Sequence, residues 1–141
     1  MTDYYKSEDE IRSLVSEFEA CSFHPSEFRH HQHLAVVLWY VVNLPFDDAR
    51  ERMKRGIQRL AASYGKTGYH ETITEFWLRM VRGFLLEGER TESLAVLANE
   101  LIEKYADKNL VLDYYSAEVL ASPEAKSVWV EPDVKPLPFP D

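Results

Sequence analysis

The chain has one cysteine, no apolar run long enough to cross a bilayer, no glycine-rich phosphate loop and no excess of basic charge. Each of these excludes something. A lone Cys21 cannot form an intrachain disulfide, so nothing points to an oxidising compartment. Without about 18 consecutive apolar residues no transmembrane helix is expected. The opening residues lack the apolar stretch of a secretory leader, and the reading is a cytoplasmic protein. A net charge of −8 argues against a nucleic-acid partner, which wants a basic face, and against an anionic membrane surface. No dinucleotide fingerprint and no internal repeat occurs.

What remains is one helical domain. The 141 residues are 45% hydrophobic and include seven Phe, eight Tyr and three Trp. A chain of this length buries about 68% of its unfolded surface, so folding needs no disulfide or structural metal. Ser7 followed by Glu10 has the form of a capping box, and Ile11, Leu14, Val15 and Phe18 follow at helical spacing. This predicts a first helix over about Glu8–Ala20. Ser26 is a candidate N-cap for a second helix reaching about Val42. Its core, Leu34 to Val42, is apolar on nearly every face, as in a helix buried by its neighbours. Asn43-Leu44-Pro45 breaks it. A third helix runs from about Asp47 to Tyr64, a turn covers Gly65–Gly68, and a fourth runs from Tyr69 to Leu86, stopped by Gly88. A fifth covers about Thr91–Tyr105. Ser116 and Ser122-Pro123 read as starts of short helices. Four of the seven prolines lie between Pro132 and Pro140, so that tail is extended, laid over the surface or disordered. The expected fold is an all-α single domain over 1–141: a five-helix bundle with short C-terminal helices, packed helices over 7–131 and a Pro-rich tail over 132–141.

Four of the five histidines fall in two clusters, Glu27-Phe28-Arg29-His30-His31-Gln32-His33-Leu34 and Gly68-Tyr69-His70-Glu71-Thr72. Imidazole is suited to metal ligation and to proton transfer near neutral pH. His30 and His33, three apart, share a helix face, and His31 is the member expected to face solvent. His70 stacks with Thr74 and Trp77, while Glu71 is rotated by about 100°. Both clusters lie in first helical turns, where the dipole disfavours imidazolium and exposed N–H groups attract anions. Three readings stay open: a three-histidine site with an open fourth position, a metal-free acid–base or anion pocket, and histidines that only hydrogen-bond within the core. The carboxylate candidates are Glu27, Glu71 and Asp113, and Arg29 is either a surface ion-pair member or an anion ligand. His70-Glu71-x-x-Thr74 lacks the second ligand of a zincin. Glu27-x-x-His30 has no second copy, which disfavours a di-iron bundle.

Three segments together resemble a family of small bacterial all-helical proteins without an assigned activity. They are Phe28-x-His30-x-x-His33-Leu34-Ala35, Gly68 to Thr74 with Phe76-Trp77, and Tyr114-Tyr115-Ser116 with Ser122 to Ala125 and Pro132-Asp133. The resemblance runs from about Phe18 to Pro138. It implies that His30, His33, His70 and Glu71 are the recurring residues, gives His31 no counterpart, and names no reaction.

The expectation is therefore a histidine-lined pocket between the second and fourth helices. His30, His33 and His70 would hold one divalent transition metal, zinc or iron, in an enzyme acting on a small molecule. Glu71, Tyr69 and Thr74 would be catalytic or supporting groups, and Tyr115 a further hydroxyl donor. The alternative is a non-catalytic ligand-binding or interaction module whose histidines form a structural or pH-sensing network. A homo-oligomer is compatible with either.

Overall fold

A computed structural model describes residues 4–65, 69–87 and 92–139. Its α-helices are α1 (Glu8–Ala20), α2 (His30–Asn43), α3 (Phe46–Ala62), α4 (Glu71–Leu86), α5 (Leu94–Lys104), α6 (Ala117–Ala121) and α7 (Pro123–Ser127). Two 3₁₀ segments, Pro25–Glu27 and Lys108–Asp113, complete the regular structure. No strand occurs among the described residues, and none of their helices is long and apolar enough to cross a membrane. The fold is all-α. The turn residues 66–68, the Gly88 stop and the Thr91 start lie outside the described residues.

The helix ends follow from local chemistry. Ser7, Ser93, Ser116 and Ser122 each accept a backbone N–H in the first turn of α1, α5, α6 and α7, satisfying donors that a helix start leaves unpaired. Ser26 does not cap α2. It lies in the 3₁₀ segment beside His24 Nδ1 at 2.8 Å, and α2 begins four residues later at His30. α4 likewise begins after the expected point, because His70 itself is its N-cap.

α2 is the hub: α1, α3, α4 and α5 all pack on it. Leu34 to Leu38 are five successive residues with no exposed surface, which only a helix covered on all sides permits. α3 approaches through Gly56. A Cβ built there would overlap the Phe18 ring, and Phe18 is fully buried and stacked on Phe28 with centroids 4.9 Å apart. Gly56→Ala would gain about 1 kcal/mol in helix propensity, but the ring has nowhere to go. A net loss of about 1–2 kcal/mol is expected from overpacking, measurable by urea denaturation.

The C-terminal third straps α4. Thr72 donates its hydroxyl to the Val128 carbonyl at 2.8 Å and accepts the Val130 N–H at 3.3 Å. The tail is laid over the surface. Asp133 accepts the Ser116 N–H at 2.8 Å, Val134 N–H donates to the Tyr114 carbonyl at 2.9 Å, and Phe139 covers Gly83 of α4.

Candidate functional site

The first turn of α2, the first half of α4, the 3₁₀ segment Lys108–Asp113 and α6 enclose an open groove of about 870 Å³. His30 and His33 line it from α2, Ile73 and Trp77 from α4, Lys108 and Leu112 from the 3₁₀ segment. The i, i+3 spacing on α2 thus puts both imidazoles on one face, as the sequence predicts.

The three expected ligands nevertheless do not converge. His70 Nδ1 accepts the Ile73 N–H at 3.2 Å, so its ring proton sits on Nε2 and donates to the Leu120 carbonyl at 2.7 Å. Both nitrogens are committed to backbone, and His70 does not line the groove. His30 donates Nε2–H to the Tyr105 carbonyl at 2.7 Å and meets Trp77 edge-to-face, with centroids 4.8 Å apart. This staples the end of α5 to the start of α2 and leaves one nitrogen, Nδ1. Among the described residues, no group of three or more His, Cys, Asp or Glu side chains is placed to hold a metal ion. Two of the three imidazoles expected to bind zinc or iron instead satisfy carbonyls from chain segments 50 and 75 residues away.

His33 differs. Its ring packs edge-on to Phe28 with centroids 5.8 Å apart, and its nitrogens bond to no group among the described residues. Burial, and then the neighbouring His30, push its pKa down from 6.5 to about 4. Burial also lowers His30, with Lys108 adding to the effect and the Tyr105 carbonyl and Asp107 opposing it. Burial, then Arg29, lowers His31, which rests on Tyr4 with centroids 5.0 Å apart rather than facing open solvent.

Between about pH 6.5 and 4 the unfolded chain binds a proton at His33 that the folded chain does not, so stability falls as pH drops through that window. His33→Leu is expected to flatten this slope relative to the native chain. Urea midpoints between about pH 7 and pH 4.5 would measure it, and parallel slopes would contradict the burial argument.

Glu71, Tyr69 and Thr74, expected beside the histidines, are placed elsewhere. Thr74 turns its hydroxyl back to the His70 carbonyl at 2.8 Å. Glu71 pairs with Lys54 of α3 and accepts the Tyr69 hydroxyl at 2.8 Å. Tyr115 donates to the Val130 carbonyl at 2.6 Å. Glu27 caps the His24 N–H, and Asp113 is exposed. The Lys54–Glu71 pair belongs to a network centred on Glu75, which is 2% exposed. Arg50 grips the Glu75 carboxylate with Nε at 2.7 Å and Nη2 at 2.9 Å, Arg79 Nε adds a bond at 2.9 Å, and Lys54 stands at 3.4 Å. These bonds tie α3 to α4. The signal for it was a lone acid inside the apolar stripe Ile73, Phe76, Trp77.

Electrostatically the groove stands apart from the rest of the chain. Two cations, Arg29 and Lys108, line it and no carboxylate does, although acidic residues outnumber basic ones 24 to 16. Asp107, the acid felt by His30, accepts the Asn109 N–H at 2.9 Å instead. Lys108, Asn109 and Leu112 had no sequence signal tying them to His30, since only folding brings them to α2.

Comparison of this chain with protein-family models, with curated proteins and with solved structures finds no match.

Proposed function

We propose that this protein is a helical ligand-binding domain, whose groove at the start of α2 takes a small molecule with His33 as the polar contact. The observation that carries this reading is the division of labour among the histidines. His30 and His70 spend ring nitrogens on distant carbonyls, whereas His33 lines the groove and its nitrogens bond to no group among the described residues. A cavity of about 870 Å³ suits a drug-sized molecule, for which pockets span about 300–1,000 Å³.

Acid–base catalysis has weaker support. A base works best with a pKa near the operating pH, and an imidazole held near 4 is neutral but a poor proton acceptor at pH 7. Among the described residues, no carboxylate or tyrosine hydroxyl lines the groove to act with it.

The test is a fragment screen read by amide chemical shifts, together with metal analysis of untagged protein incubated with zinc and iron. Fragments should perturb the amides of His30, His33, Lys108 and Asn109 together, and His33→Ala should weaken binding with little change in melting temperature. About one tightly held metal per chain, lost in His33→Ala, would overturn the reading in favour of a metal site.

A further inference from the structure

Resting on that groove reading, we infer that the ligand is a small apolar or aromatic acid, its anionic group at the start of α2 and its body against Leu112 and Ile73. Four independent features converge on this class.

The first is charge. Arg29 and Lys108 line the groove, no carboxylate among the described residues does, and neither cation forms an ion pair among those residues; the nearby Asp107 is turned to the Asn109 N–H. Both cations belong to exposed residues of a chain of net charge −8, so the groove carries local positive charge that an anionic group would meet.

The second is the helix start. The residue before α2 is Arg29, whose side chain has only donors and cannot cap. Gln32 instead accepts the Arg29 N–H at 2.9 Å. The cap position therefore supplies no acceptor to the first-turn N–H groups of α2, at the positive end of a 14-residue helix, where an anionic oxygen is favoured. Four other helices of this chain have a serine at the corresponding place.

The third is His33, which lines the cavity unbonded and neutral. A neutral imidazole has one N–H to give, and a carboxylate or phosphate oxygen accepts it.

The fourth is the opposite wall. Leu112, 47% exposed, and the half-buried Ile73 present apolar surface, with the buried Trp77 and Leu120 behind them. An inorganic anion would leave that wall wet, and a purely apolar molecule would strand the two cations. An amphiphilic acid satisfies both.

The experiment is calorimetric titration of the full chain with four probes that share one ring system: 2-naphthoate, 2-naphthyl phosphate, 2-naphthamide and 2-naphthylmethylamine. Expected is binding of one or both acids at least tenfold tighter than the amide, with no detectable binding of the amine. Arg29→Gln and Lys108→Gln should each weaken the acid about tenfold and leave the amide unchanged. Both side chains are on exposed residues, so unchanged thermal melts are expected and would show that the fold is intact. If amide or amine binds as tightly as the acids, the anionic class is wrong while the groove reading stands. If none of the four binds and the fragment screen leaves the groove amides unmoved, both fall.

Discussion

Glu75→Ala is expected to destabilise the protein by about 3–5 kcal/mol, because removing one partner of a buried ion pair leaves the others uncompensated. Arg50 would keep Asp47 and Lys54 would keep Glu71, but the buried acceptor shared by Arg50, Arg79 and Lys54 would be gone. The two ordered bonds from Arg50, the bond from Arg79 and the approach of Lys54 all end on one carboxylate. For a domain of this size the melting temperature should fall by about 10–15 °C. Glu75→Gln keeps the shape and loses the charge, so a smaller loss is expected. The acid limb gives a second readout. Burial on its own would raise the Glu75 pKa; the bonds from Arg50 and Arg79, with the charges of Arg50 and Lys54, overcome it and hold the group below the usual glutamate value. The unfolded chain therefore takes up this proton first as pH falls. The stabilisation is complete above the ordinary glutamate range and is lost as pH drops through the folded-state value. Acid unfolding of Glu75→Gln should lack this contribution. A loss below about 1 kcal/mol for Glu75→Ala would mean that the network is no better than a surface ion pair.

The second large effect is expected at His70. His70→Ala removes the α4 cap, a loss of about 1 kcal/mol, and leaves the Leu120 carbonyl without its donor, at about 1–3 kcal/mol more. A total of about 2–4 kcal/mol follows, measured by denaturant unfolding. His70→Asn separates the two parts. Asparagine is a good N-cap but is too short to bridge to α6, so roughly the capping share should return. In hydrogen exchange, the Ile73 amide should lose protection in the alanine variant and keep it in the asparagine variant. Equal losses in both would show that the cap contributes nothing.

These two residues also show where the sequence was legible and where it was not. α1 fell where the serine cap and the 3.6-residue apolar period placed it, and the same rule found the starts of α6 and α7. It failed at Ser26, which folds back on His24, and at α4, because a histidine is an unusual cap. Both failures moved a helix start onto a histidine. The shared face of His30 and His33 follows from helix geometry alone. That His70 reaches Leu120 and that His30 reaches Tyr105 does not, because neither partner has a pattern: each is a backbone carbonyl, present at every residue. Glu71 and Tyr69 were drawn toward the histidines by adjacency in sequence. Glu71, at the start of α4, turns instead to Lys54 of α3 and accepts the Tyr69 hydroxyl there. The rim of the groove from Lys108 to Leu112 carries no pattern in the sequence that ties it to α2.

The carbonyl staples also bear on how the chain reaches this fold. Most helical bundles close through neighbours in sequence and fold fast for that reason, whereas contacts distant in sequence slow the search. Here the start of α4 is completed by Leu120 and Val128, 50 and 56 residues later. During synthesis at about 5–20 residues per second, His70 and Thr72 would wait on the order of 3–10 s for the carbonyls they bind. α1, α2 and α3 can dock in that interval. The groove cannot, because one wall, from Lys108 to Leu120, consists of residues not yet made, so it takes shape only in the last fifth of the chain's synthesis.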